Sequence, residues 1–73
     1  MLQTIMSLSA RNQIPGIIQE ITLGDIMAHV VVKVGDNVIE SVITRSSAEE
    51  LALKAGDSVK VVVKSTEVMI QKG

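Results

Sequence analysis

The chain of 73 residues has no cysteine, phenylalanine, tyrosine or tryptophan, a single proline and a single histidine. Without cysteine there is no disulfide and no thiolate metal site, so a stapled secreted mini-protein is excluded. Without aromatic rings there is no stacking platform for unpaired bases, which removes the usual grip on single-stranded nucleic acid. Positive charge is not in excess either: seven Lys and Arg face eight Asp and Glu, a formal net charge of −1. The basic footprint of a duplex-binding protein is therefore missing. No apolar run reaches the ~18 residues that cross a bilayer. The opening MLQTIMSLSARNQ has neither the basic flank nor the long apolar stretch of a signal peptide. These absences predict a soluble, cytoplasmic protein with no membrane or nucleic-acid partner.

What the chain has in quantity is β-branched aliphatics, with valine and isoleucine making 20 of its 73 residues. Such residues favour strands. A chain this short buries only about 60% of its unfolded surface when it folds alone. Disulfides and a metal have no ligands here, since His29 is the only histidine. Composition therefore points to association between chains.

The pattern reads as one domain over residues 1–73, with residues 1–8 a candidate arm that pairs with a neighbouring chain. Residues 14–21 form a strand with Pro15 near its start. Residues 26–34 alternate, with Ile26, Ala28, Val30, Val32 and Val34 on one face. Gly35-Asp36-Asn37 has hairpin-turn chemistry, and residues 38–44 return as the partner strand. The period then changes to helical over residues 46–56. Ser46 with Glu49, or Ser47 with Glu50, makes a capping box, and Gly56 is placed to end the helix. Residues 58–64 and 66–71 are two further strands, and residues 4–9 add a short one. The expected fold is mainly β: a small antiparallel barrel with one short helix.

Enzyme constellations are scarce. Ser47, His29 and Asp36 are the types of a hydrolytic triad, but seven serines supply such a set by chance. Glu49-Glu50 is explained by helix capping, and His29 between apolar neighbours reads as a packed or interface-facing imidazole. What remains is a set of neutral and cationic donors: Ser7, Ser9, Arg11 and Asn12; Thr44, Ser46 and Ser47 where a strand passes into a helix; and Lys64, Ser65 and Thr66 at a corner. Amides at a helix start point outward with a favourable dipole. Hydroxyls beside them suit an anion, with an Arg or Lys from elsewhere as countercharge.

The stretch Ser7-Leu8-Ser9-Ala10-Arg11-Asn12-Gln13, with the strand entry Ile14-Pro15-Gly16, resembles the start of the molybdopterin-binding-protein-like (Mop) or TOBE domain. Ala28–Val34 is similar to the central strand of that family. Ala52-Leu53-Lys54-Ala55-Gly56-Asp57 resembles its L-x-L-K-x-G segment, and Val63-Lys64-Ser65-Thr66-Glu67-Val68-Met69-Ile70 resembles its V-K-[SA]-x-x-V-x-[IL] ending. Only the first few residues and Gln71–Gly73 lie outside the match.

The resemblance implies an OB-fold-like barrel. It also implies a homohexamer, a trimer of dimers, holding molybdate or tungstate between subunits as a bound oxyanion, with no catalysis and no bare metal cation. The oxyanion-binding residues it implies are Ser9, Arg11, Thr44, Ser47, Lys64 and Ser65. Ala10 and Asn12 would give backbone or supporting contacts. The implied role is cytoplasmic binding, storage and homeostasis. Two other functions fit a barrel of this size: a structural or regulatory oligomerisation module that senses an oxyanion, and a small nucleic-acid-binding barrel. The missing aromatics and the net charge argue against the second.

Overall fold

A computed structural model describes residues 11–73; the expected strand at 4–9, the arm at 1–8, Ser9 and Ala10 lie outside the described residues. Its elements run β1 (Asn12–Leu23), β2 (Met27–Val34), β3 (Asn37–Thr44), α1 (Arg45–Glu50), β4 (Ser58–Val63) and a 3-10 turn (Ser65–Glu67). The strands form one antiparallel sheet in the order β3-β2-β1-β4.

β1 organises the sheet. Its first half pairs with β4, from Asn12 opposite Val63 to Ile17 opposite Ser58. Its second half pairs with β2, from Ile17 opposite Lys33 to Leu23 opposite Ala28. The register slips by one residue between Ile18 and Glu20, a bulge that bends the strand. Gly16 marks a second tight place, because a Cβ there would meet Val32 Cγ1 at 2.7 Å and the Lys33 carbonyl at 2.9 Å. So bent, the sheet curls until β3 and β4 line the same cavity. The architecture is the expected one, mainly β and OB-like with one short helix.

The alternation expected in β2 holds. Ala28, Val30 and Val32 are buried and Val34 is half-buried, whereas Ile26 precedes the strand and is exposed. Ile18, Val30 and Val32 form the core, packed by Ile21, Val34, Ile43, Leu53, Val59 and Val61. The β2–β3 hairpin closes through two residues, Gly35 and Asp36, with Asn37 already opposite Val34 in β3. Gly35 takes φ +61°, the left-handed first position that favours glycine in such hairpins.

Two expected elements differ. The helix covers six residues, Arg45–Glu50, instead of 46–56. Its cap is neither Ser46 nor Ser47 but Thr44, which keeps extended backbone and accepts a hydrogen bond from Ser47 N at 3.1 Å. The helix stops at Ala52, not at Gly56. Ala52 N donates to the Glu49 carbonyl and Leu53 N to the Ala48 carbonyl, a Schellman ending that requires the left-handed φ of +52° at Ala52. Gly56, at φ +94°, serves a separate turn in which Lys54 N and the Asp57 carboxylate meet at 3.0 Å. The second difference is at residues 66–71. No strand is formed there: a 3-10 turn over Ser65–Glu67 is followed by chain without a sheet partner among the described residues. A strand needs an edge to pair with, and this segment leaves β4 without returning to one.

Candidate oxyanion site

The expected donors fall into two groups, set by the two ends of β1. At one end, Asn12 opens β1 opposite Val63, the final residue of β4. Arg11 and Lys64 each stand one step beyond that last pair, on adjacent strands whose spacing is about 5 Å. Both are exposed. Lys64 also leads the 3-10 turn, where Glu67 N donates to its carbonyl at 2.9 Å, and Ser65 follows within the turn. Two like charges side by side destabilise a strand pair, and a dianion between them removes that repulsion. The sequence folds this way because Val59, Val61 and Val63 alternate toward the interior up to the corner at Lys64.

At the other end, Thr44 is the last residue of β3, opposite Met27. Its Oγ1 accepts from Ser47 N, lies 2.8 Å from Ser47 Oγ and 3.3 Å from Ser46 Oγ. Three hydroxyls thus converge at the helix start, Thr44 and Ser46 exposed and Ser47 half-buried. The amides are less available than the sequence suggested. Arg45 N already donates to the Ile26 carbonyl at 2.7 Å, and Ser47 N is committed to Thr44.

No hydrogen bond or groove of the described residues joins the two groups. Leu23, beside the Thr44 end, and Asn12, beside the Lys64 end, are eleven residues apart on β1. That is roughly 35 Å of strand contour at about 3.3 Å per residue, against a longest molecular extent of 38 Å.

Sequence reasoning missed Arg45. Its guanidinium reaches back to the Gly24 carbonyl at 3.1 Å and to Glu49 at 3.0 Å, fastening α1 to the β1–β2 connection. The signal was its spacing of four from Glu49. With Asp25, Ile26, Thr44, Ser46 and Glu49 it lines a shallow groove whose two carboxylates repel an anion. Thr44 and Ser46 line this groove too, so of the three hydroxyls only Ser47 stands outside it.

His29 is not joined to Ser47 or Asp36. Its Nε2 lies 2.7 Å from a Glu40 carboxylate oxygen on the outer face, while Ser47 is bonded to Thr44. Among the described residues no group of three His, Asp or Glu is arranged to hold a metal cation. Nor is any helix there long and apolar enough to cross a membrane.

The TOBE domain family matches residues 8–70. Molybdenum-pterin-binding proteins 1 and 2 of Clostridium pasteurianum are each 47% identical over 66 residues, 89% of this chain and 97% of theirs. Among solved structures, a molybdate-binding protein of Sporomusa ovata matches with a TM-score of 0.87 at 34% identity, over 92% of this chain and 100% of that one. MopII of Clostridium pasteurianum matches with a TM-score of 0.83 at 45% identity, over 90% and 100% of the two chains. ModG, a cytoplasmic molybdate-binding protein solved with molybdate bound, matches with a TM-score of 0.74 at 36% identity, over 80% of this chain and 42% of its own.

Proposed function

The chain belongs to the TOBE domain family, and from that membership we propose that it binds molybdate or tungstate as the intact oxyanion, between subunits of a homo-oligomer, without catalysis. The observation that carries the reading is the split donor set. Arg11, Lys64 and Ser65 stand at one end of β1, and Thr44 and Ser47 at the other. Two chains laid end against end would bring both groups onto one ion. The family resemblance adds Ser9 as a donor with Ala10 and Asn12 in support; Ser9 and Ala10 lie outside the described residues.

The chemistry suits a tetrahedral dianion. Molybdate accepts hydrogen bonds through four oxygens and donates none. Arg11 offers a planar fork of N–H donors and Lys64 a compact charge. The hydroxyls of Thr44, Ser47 and Ser65 complete the shell without adding net charge. In a single chain these groups are mostly exposed and screened; a second chain excludes water and strengthens each contact. Because both chains donate, the anion stabilises the assembly by mass action. The assembly we propose is a hexamer, a trimer of dimers, acting in the cytoplasm as a store and buffer of the oxyanion.

Equilibrium dialysis against molybdate, tungstate and sulfate, followed by elemental analysis, tests this. Retained Mo or W at micromolar anion is expected, with light scattering giving the mass of a hexamer. Arg11→Ala with Lys64→Ala should abolish retention while the circular dichroism spectrum stays unchanged. No retained metal from the unaltered chain sinks the function, and full uptake by the double variant shows that the ion sits elsewhere.

A further inference from the structure

Arg45 is the one cation of the groove at the strand-to-helix junction, which it shares with Asp25, Ile26, Thr44, Ser46 and Glu49. Three bonds fix its place. Its amide donates to the Ile26 carbonyl at 2.7 Å. Its guanidinium donates through Nη1 to the Gly24 carbonyl at 3.1 Å and through Nε to Glu49 Oε2 at 3.0 Å. The Gly24 partner is itself tied, because Gly24 N donates to the Met27 carbonyl at 2.8 Å and Met27 stands opposite Thr44 in the sheet. A planar fork held at two points is oriented, and it stays on the carboxylate.

An exposed ion pair at this spacing contributes little to folding. Its effect on a third charge is larger. Glu49 shares the groove with the Thr44 and Ser46 hydroxyls, and a bare carboxylate there opposes a dianion twice as strongly as a monoanion. Bonded to Arg45, Glu49 is one end of a dipole, whose field falls off faster than that of a charge. One cation against two carboxylates leaves the groove at −1, and without Arg45 it stands at −2.

We propose that Arg45 is a positioning residue for the oxyanion. By holding Glu49 it cancels one of the two carboxylates beside the hydroxyl cluster, so that Thr44 and Ser47 can take a dianion. Arg45 itself does not touch the ion. This role rests on the anion reading of Thr44 and Ser47 given above, and adds to it a residue that sets affinity through charge.

Calorimetric titration of the full chain with molybdate at about 0.15 M salt tests it, with circular dichroism checking that each variant folds. Arg45→Ala should raise Kd about tenfold, and Glu49→Gln should lower it about threefold. The double variant Arg45→Ala/Glu49→Gln restores the groove to −1, so its Kd should return to within about twofold of the wild type. Perrhenate, a tetrahedral monoanion, should lose only about threefold on Arg45→Ala, because the charge effect scales with the charge of the ligand. Lys54→Ala removes a cation outside the groove and should change Kd less than about twofold.

An unchanged Kd for Arg45→Ala overturns the proposal. So does a double variant as weak as Arg45→Ala, an equal loss for molybdate and perrhenate, or an equal loss on Lys54→Ala. Should perrhenate not bind the unaltered chain, the molybdate comparison of single and double variants decides. Should Arg45→Ala not fold, Glu49→Gln decides, since it keeps both backbone bonds of Arg45; unchanged or weaker binding then refutes the role. A wild-type chain that takes up no molybdate defeats the proposed function and this role with it. A wild-type chain that binds, with a Kd indifferent to Arg45→Ala, defeats the role of Arg45 alone.

Discussion

Helix α1 ends on an alanine where the backbone calls for glycine. Ala52 has φ +52° and closes a Schellman motif through bonds of 3.0 and 3.1 Å to the Glu49 and Ala48 carbonyls. An L-residue in the left-handed region costs about 1–2 kcal/mol, through contact of its Cβ with the following carbonyl. Glycine avoids that cost but loses about 0.5–1 kcal/mol more conformational freedom on folding. Ala52 is exposed, so its methyl gives up little packing. Ala52→Gly should therefore stabilise the fold by about 0.5–1 kcal/mol, which in a domain of this size raises Tm by about 3–6 °C. Gly56→Ala is the mirror experiment: at φ +94° with nothing within 4 Å of a built Cβ, it should destabilise through conformation alone. Thermal scans followed by circular dichroism at one fixed chain concentration measure both, since assembly makes Tm depend on concentration. A lower Tm for Ala52→Gly, or an unchanged Tm for Gly56→Ala, refutes the assignment of strain to these two positions.

Two further outcomes follow from the geometry. Gly16→Ala forces a Cβ to 2.7 Å from Val32 Cγ1 and 2.9 Å from the Lys33 carbonyl. Because backbone cannot step aside, a loss of about 1–3 kcal/mol is expected, read as a lower urea midpoint; an unchanged midpoint means that β1 and β2 separate there at little cost. Thr44→Val removes the helix cap, at about 1 kcal/mol, and also a hydroxyl of the proposed anion site, whereas Thr44→Ser keeps both. Full molybdate retention by folded Thr44→Val chain limits Thr44 to capping.

The legible parts of the fold were local. Ala28, Val30, Val32 and Val34 alternate over one strand, and a period of two is written in consecutive residues. Gly35 marked the hairpin for the same reason, since a two-residue loop that needs positive φ selects glycine. The helix was found but its limits were not. The sequence places Thr44 at the strand-to-helix junction but gives the capping role to Ser46 or Ser47, although a strand's last residue keeps the extended backbone that a cap requires. Gly56 drew the helix end to itself because glycine is the commonest residue at that position; Ala52 took the role through the packing of Leu53 against the core.

For the site, the family resemblance makes an oxyanion host legible as four hydroxyl side chains and two cations. Their apportioning between the ends of β1 was not legible, because it depends on which strand pairs with which half of β1 and on the bulge between Ile18 and Glu20. Pairing partners are set by contacts between residues far apart in sequence, where no local period reaches.

By itself, then, the sequence determined a β-rich, aromatic-free domain too small to bury its own apolar residues, and a family motif around Arg11 and Lys64. Folding sets, among the described residues, that β3 and β4 are the two edges of the sheet and that residues 68–71 pair with neither. It also sets Thr44 and Ser47 at the opposite end of β1 from Arg11 and Lys64. The physical reason is common to all three: an edge, a pairing and a placement at opposite ends are relations between elements, and they exist only once the chain has folded.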